Sequence, residues 1–488
     1  MGDVVIRKTK IIATLGPATD TRDLIEKMIK MGVNVFRLNF SHGDYDYHET
    51  LINRVRTIAA RLDMPVALLQ DISGPKIRVG EIEGSLELQP GNILSISTGQ
   101  TKKSPHEITF NHPEVLQQLQ QGDHIYFADG TIRTEVVSVR PEVIEVKILS
   151  RGRLTSRKGV NLPLTQLPID SITEKDREDI DFGVAHGVDF IALSFIRSHE
   201  DIKHAKKIIA AANGDIPVIA KIEMMTALDH LTEIMEIADG IMVARGDLGV
   251  ELGVHKVPVV QKNIIEQARS RGIPVITATQ MLTSMLTSPY PTRAEVSDIA
   301  NAVLDGTDAV MLSDETAIGN NPEAAIRVLT MTINETEKMY PWNKAVSDMF
   351  GNRVAIAASA TLLAEQSHAM GIACFTYSGR SAQLVACHRI RKRIIATTSN
   401  SKTFRRLSIV WGVEPFFVEF SHINSDAAIS LFIKKARKAG LIQEEDALVI
   451  IIGHHSNQTG TINQIQFLDN PAFKRLQDML RNMSWPVR

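Results

Sequence analysis

Only two cysteines, Cys374 and Cys387, occur in 488 residues, too few for a disulfide framework and in keeping with a reducing, cytoplasmic setting. No run of about 18 apolar residues occurs, so no membrane-spanning helix is expected. The opening MGDVVIRKTKIIATLG lacks an apolar stretch followed by a small-residue cleavage site, and export is not expected either. Ile6 stands where N-myristoylation requires serine or threonine. An excess of one charge is also missing. With 54 basic and 56 acidic residues the formal net charge is -2, which argues against a dedicated nucleic-acid or membrane surface. The chain is too long for one ordinary core, so two or three domains are expected.

Short apolar runs ending in polar clusters are plentiful. They are KIIATLGPA from Lys10, VNVFRLNFS from Val33, VALLQD from Val66, DFIALSF from Asp189, VIAKIE from Val218, Ile241–Ala244 before Arg245, PVITATQ from Pro274 and DAVMLSDET from Asp308. Amphipathic segments such as Thr21–Met31 and Val259–Arg271 separate most of them, and strands alternating with helices imply a parallel sheet. The even count of eight favours closure into an α/β fold of the (β/α)₈ TIM-barrel type over a doubly wound open sheet.

The rhythm breaks once, because about 120 residues separate the third run from the fourth where a barrel needs about 30. There the period becomes two: Ile144, Val146 and Ile148 alternate with Glu145 and Lys147, and turn signals at Pro90, Ala128 and Arg140 punctuate short strands. The spacing predicts a barrel over 1–75 and 169–342, an inserted β-rich lid, itself a small β-barrel, over 76–168, and a C-terminal α/β domain over 343–488. In the last domain, helices are expected over Val354–Gln366 and Ser381–Arg391, with strands at Ile372–Thr376 and near Ile394, Val413 and Ala447. The tail after Asn470 shows no assignable pattern.

Residues two apart on a strand share a face, so Lys221 and Glu223 project together at the carboxyl end of theirs. Active sites of parallel α/β folds form at that end, where Asp247 also falls. Two carboxylates and a lysine there suggest a divalent metal beside a phosphate or enolate oxygen. A strand-end ion pair with a turn aspartate is the plainer alternative. Other run ends are polar too: Arg37, Asn39, Ser41 and His42 after the second, Asp71 after the third, Ser194 after the fourth, Thr279 and Gln280 after the seventh, Ser313 and Glu315 after the eighth.

Through KIIATLGPA, NVFRLNFSHG, GPKIR, KGVNLP, AKIE, VARGDLGVE, TATQML, PTRAE, NAVLDGTDAVMLS and ET, residues 4 to about 470 resemble the pyruvate kinase family. The resemblance implies a phosphotransferase of glycolysis that moves the phosphoryl group of phosphoenolpyruvate to ADP, leaving an enolate that is protonated to pyruvate. It implies that Glu223 and Asp247 hold Mg²⁺ or Mn²⁺, with a second divalent ion arriving with ADP. Lys221 would neutralise the phosphoryl group in flight and Thr279 would relay the proton. Gly246 and Asp247 would offer backbone N–H groups to the substrate carboxylate, and Ser194 would join the substrate site. Arg37 and Arg78 correspond to arginines at the phosphates; Asn39, His42 and Lys158 line the nucleotide side. A homotetramer is implied as well.

Two departures from the family pattern matter. Members that need K⁺ usually read DTKGPEIR, whereas Asp71–Arg78 here is DISGPKIR. Asn39, Ser41 and Asp71 are retained, but Ile72 has no hydroxyl for a cation, and Lys76 is expected to reach toward Asp71 in the ion's stead. K⁺ is therefore not expected to be required. In the last domain, Thr376, Ser378, Gly379, Arg380 and Ser381 match the family's effector phosphate loop. The later loop Gly453–Thr461, which includes His454 and His455, lacks the arginine used for a second phosphate. A monophosphate effector, a sugar monophosphate or AMP, is expected rather than fructose 1,6-bisphosphate.

Overall fold

The computed structural model describes residues 7–98, 107–163, 169–344, 346, 349–420, 425–453 and 462–482. Eight parallel strands, Lys10–Thr14, Val35–Asn39, Ala67–Asp71, Phe190–Leu193, Val218–Ile222, Gly240–Ala244, Val275–Ala278 and Ala309–Leu312, close in sequence order into the expected barrel. The first strand pairs with both the second and the last, Lys10 standing opposite Ala309 and Ile12 opposite Val35.

Closure follows from the apolar runs, because both faces of each strand are buried. Ile12, Val35, Leu69, Ile219, Met242, Ile276 and Met311 belong to one apolar cluster, while their chain neighbours, such as Ile11, Phe36 and Leu68, belong to another with the surrounding helices. The first cluster continues into Ala360, Ile372, Val385 and Val449 of the C-terminal domain. Three helices at the barrel surface begin with capping boxes at Thr173, Ser198 and Thr292, each satisfying free N–H groups of the first turn.

The insert is a six-stranded sheet with a two-stranded ribbon. Its edges, Val160–Asn161 and Glu107–Ile108, are not hydrogen-bonded to each other, so the described strands do not form a closed barrel. The sheet nonetheless curls: Arg78 bridges to Gly159 beside one edge and Val79 to Phe110 beside the other. The lid's turn at Gly130 rests on the barrel, where an added β-carbon would lie 3.1 Å from both γ-methyls of Val250. The φ of +80° at that residue also selects glycine.

The C-terminal sheet has five strands, in the order Val413–Phe417, Arg393–Thr398, Gly371–Phe375, Leu448–Gly453 and Ile462–Leu468. The last strand is antiparallel to its neighbour and was not legible in the sequence. One expectation is corrected here, and one unassigned segment gains a structure. The helix expected over Ser381–Arg391 is Arg380–Ala386, because the chain turns through Arg389 at φ +52°. The tail forms a helix at Asn470–Asn482, whose Phe473 enters the C-terminal core. Residues 454–461, with the histidines of the second effector loop, lie outside the described residues.

Barrel and C-terminal domain are locked by a buried ion pair. Arg389 Nη2 lies 2.9 Å from Asp308 Oδ2 and 2.7 Å from Gly306 O, with the guanidinium 4.8 Å from the Trp411 ring. Arg389→Ala leaves the Asp308 charge buried and should destabilise the enzyme by about 3 to 5 kcal/mol. This is read as an earlier first transition in urea unfolding; an unmoved transition would show that the pair does not hold the seam.

Candidate functional site

The carboxyl ends of the third, fourth and fifth barrel strands converge on one ammonium group, with the first two strands backing them. Lys221 Nζ lies 3.1 Å from Asp71 Oδ1 and 2.9 Å from Glu223 Oε1, and it donates to Ser194 Oγ at 2.6 Å. On the other side of Asp71, Arg37 Nε stands 2.6 Å from Oδ2, while its Nη1 donates to Thr14 Oγ1 at 3.2 Å. Strand alternation and strand-end placement thus bring Arg37, Asp71, Ser194, Lys221 and Glu223 together. The same contacts correct one expectation. Asp71 is occupied by Arg37 and Lys221, and Lys76 does not reach it; its Nζ lies instead 6.0 Å from the Phe195 ring. There it borders a small cavity of about 30 Å³ at the lid hinge, also lined by Glu223 and Glu251.

Burial favours the neutral form of each group, and the charges oppose it. For Lys221, burial alone would lower the pKa, but Asp71 and Glu223 hold it above the usual lysine value. Burial would raise Asp71, yet Lys221 and Arg37 hold it below the usual carboxylate range. Glu223 goes the other way. Burial raises it and repulsion from Asp247 adds to that, despite Lys221. Two carboxylates that repel each other beside a fixed ammonium form a donor set that fits a hard divalent cation. Among the described residues no group of three or more His, Cys, Asp or Glu side chains is arranged for a metal.

The sixth and seventh strands supply the other wall. Asp247 lies in the first turn of the helix Arg245–Leu252 rather than in an open turn. The N–H of Gly246, expected to face a substrate carboxylate, donates instead to Thr279 Oγ1 at 2.8 Å, and that hydroxyl donates to Ala278 O at 2.7 Å. Thr279 and Gln280 are left-handed, at φ +66° and +55°, a conformation that costs non-glycine residues of order 1 to 3 kcal/mol each. Arg245 offsets the strain. Its Nε and Nη2 reach Thr279 O at 3.2 and 2.7 Å, Nη2 also reaches Gln280 O at 3.2 Å, and Nη1 pairs with Asp298 at 2.5 Å. Sequence reasoning gave Arg245 no role; the available signal was an arginine following four apolar strand residues directly. Glu315 accepts from the N–H groups of Leu282 and Ser313, tying the seventh and eighth strand ends together.

The nucleotide-side residues are less tightly gathered. Asn39 Oδ1 accepts from Ser41 N–H, Ser41 Oγ lies 3.0 Å from Ser73 Oγ, and His42 is exposed. Ile72 is buried. Arg78 and Lys158 sit on paired lid segments: Arg78 Nη1 donates to Arg157 O, and Lys158 O accepts from Val79 N–H. In the loop expected to hold an effector phosphate, Gly379 is left-handed at φ +88° and its N–H donates to Thr376 Oγ1 at 2.9 Å rather than standing free for a phosphate. Arg380 turns away from the loop, donating to Gly272 O at 2.7 Å and Arg271 O at 3.0 Å of the barrel. Ser381 is buried and Ser378 is exposed.

Comparison with known proteins agrees over nearly the whole chain. Family models described as the pyruvate kinase barrel domain and the pyruvate kinase alpha/beta domain match residues 6–326 and 354–468. The chain is 40% identical over 471 residues to pyruvate kinases of Staphylococcus aureus strains USA300 and NCTC 8325, covering 94% of this chain and 80% of each relative. A crystal structure of a pyruvate kinase from Cryptosporidium parvum superposes with a TM-score of 0.89 at 35% identity, covering 95% of this chain and 96% of that one.

Proposed function

The chain belongs to the pyruvate kinase family and transfers the phosphoryl group of phosphoenolpyruvate to ADP, and we propose that it does so at the rim where Lys221 meets Asp71, Ser194 and Glu223. The observation that carries this assignment is the fixed ammonium: three partners from three strand ends hold Nζ in place before substrate arrives. Phosphoryl transfer needs positioning and charge neutralisation more than covalent chemistry. Lys221 neutralises the group in flight, Arg37 orients its oxygens, and the Thr279 hydroxyl moves the proton to the enolate carbon. Arg78, Lys158, Asn39 and His42 face the nucleotide, with the lid excluding water. Glu223 and Asp247 hold the divalent ion, which when bound supplies Lewis acidity toward the enolate oxygen. Mn²⁺ titration followed by electron paramagnetic resonance tests the ligand set: Glu223→Gln should weaken Mn²⁺ binding to substrate-free enzyme, and an unchanged isotherm would contradict it.

K⁺ is not required in this reading. Support comes from Ile72, which is buried and has no hydroxyl to offer a cation. Turnover at matched ionic strength should change less than about threefold on adding K⁺, whereas Lys76→Glu should acquire K⁺ dependence. Stimulation of the wild type by more than about tenfold would contradict this.

The hydroxyls of Ser378 and Ser381 and the Thr376–Gly379 turn support a phosphorylated effector at that loop, and we take it to be a monophosphate. Activation by fructose 1,6-bisphosphate at lower concentration than by any monophosphate would overturn that. Cys374 and Cys387 are both free and buried, and among the described residues no helix is long and apolar enough to cross a membrane. The same reading takes the enzyme as a cytoplasmic homotetramer; a solution mass of one chain would contradict the assembly.

A further inference from the structure

The turn between the second barrel strand and the helix Tyr45–Leu62 carries Ser41 and His42, both exposed, and the reading above sets it against the nucleotide. An exposed turn keeps one shape only if its backbone groups are held from beneath. Its N–H groups are taken within the barrel rim. Phe40 N–H donates to Asp71 O at 2.9 Å, Ser41 N–H to Asn39 Oδ1 at 3.2 Å and His42 N–H to Asn39 O at 3.1 Å. Two carbonyls are held from other directions: Lys175 Nζ donates to Phe40 O at 3.0 Å, and His48 Nε2 lies 2.9 Å from His42 O. The two anchors are unequal. The Lys175 side chain is more than half exposed and also pairs with Asp179, whereas His48 is 3% exposed.

Histidine is a costly residue at that buried position. Burial holds its pKa below the usual histidine value, so the ring is neutral and carries one N–H. A carbonyl oxygen only accepts, which places that N–H on Nε2 and leaves Nδ1 as a bare acceptor. Nδ1 is buried without a hydrogen-bond partner among the described residues, a destabilising arrangement that an apolar side chain would avoid. The ring is nonetheless closely seated, stacked on Phe40 with centroids 4.0 Å apart and planes 8° from parallel. Gly43 keeps the approach open: its φ is +78°, and an added β-carbon would lie 3.4 Å from His48 Nε2 and 3.0 Å from Tyr47 Cδ1. A tolerated unpaired nitrogen and a glycine thus both serve one hydrogen bond to the backbone of the turn.

We propose that His48 is a positioning residue for the nucleotide: its Nε2–H fixes the His42 carbonyl, and with it the Asn39–His42 turn that receives ADP. The proposal rests on the nucleotide-side reading of Asn39 and His42. His48 is buried beneath the turn and acts only through that backbone, so its contribution belongs to ADP binding and not to the chemistry at Lys221.

The test is steady-state kinetics of the intact enzyme with each substrate varied in turn. His48→Leu keeps an apolar body in the site and removes the donor. It should raise KM for ADP about 3-fold to 10-fold, the worth of one hydrogen bond, while kcat and KM for phosphoenolpyruvate stay within about twofold of wild type. His48→Gln restores an N–H donor and should bring KM for ADP back to within about twofold of wild type, a rescue that a packing role alone would not show. His42→Ala examines the underlying reading separately and should also raise KM for ADP. If His42→Ala leaves it unchanged, the nucleotide-side reading falls and the proposal with it. If His42→Ala raises it but His48→Leu does not, or His48→Leu raises KM for both substrates alike, the proposal alone is overturned. Should His48→Leu not fold, His48→Gln decides, and a KM for ADP more than about threefold above wild type in that variant overturns the proposal.

Discussion

Lys221→Ala lowers turnover by at least about 10² to 10³-fold while the enzyme remains folded, because one preorganised electrostatic donor at a reacting centre is worth that much. The ammonium is nearly buried and held by Asp71, Glu223 and Ser194, so it pays no reorganisation cost when charge moves onto the transferring group. Its loss also leaves Glu223, 2% exposed, without its cation and Asp71 with Arg37 alone, and some stability should go with it. Circular dichroism at the assay temperature separates the two effects. A folded variant with turnover within about tenfold of wild type would sink the assignment of Lys221.

Asp247→Ala should abolish divalent-ion-dependent turnover almost completely, and excess chelator should do the same to the wild type. Glu223 already accepts from Lys221 and from Phe195 N–H, so one carboxylate alone offers an ion little free coordination. Hard oxygen ligands select Mg²⁺ or Mn²⁺ over softer metals. With Asp247 gone, Glu223, whose pKa is raised chiefly by burial, loses the added repulsion and is left as an ion-pair partner of Lys221. Full activity in chelator, or an Asp247→Ala enzyme with unchanged metal dependence, would contradict this ligand set.

The barrel was legible because its strands are apolar on both faces and each ends in a polar residue, a pattern fixed by periodicity and burial. Lys221, Glu223, Arg37 and Asp71 could be placed at one rim from strand alternation and parallel order alone. What could not be read were interactions set by chain geometry after the strand ends. The left-handed Thr279 and Gln280 look like ordinary turn residues in the sequence, and the Arg245 side chain that stabilises them spans from the sixth strand to the loop after the seventh. Lys76 was assigned to Asp71 by charge, but Arg37 and Lys221 are nearer partners contributed by neighbouring strands. Arg380 was assigned to a phosphate because of its place in a loop, whereas two of its acceptors, Gly272 O and Arg271 O, lie more than a hundred residues away in the barrel. The final antiparallel strand and the tail helix lack the strong alternation of the rest, and packing against the C-terminal sheet and core defines them.

The central claim is that this rim moves a phosphoryl group from phosphoenolpyruvate to ADP through the chain's own fixed charges and a bound divalent ion. Phosphorus magnetic resonance of the purified enzyme with phosphoenolpyruvate, ADP and Mg²⁺ follows donor and acceptor together. The account predicts that the phosphoenolpyruvate signal falls as the γ-phosphate signal of ATP rises in equal amount, in wild type but not in Lys221→Ala. Phosphoenolpyruvate consumed with release of inorganic phosphate and no ATP, or equal transfer by the Lys221→Ala enzyme, would contradict it.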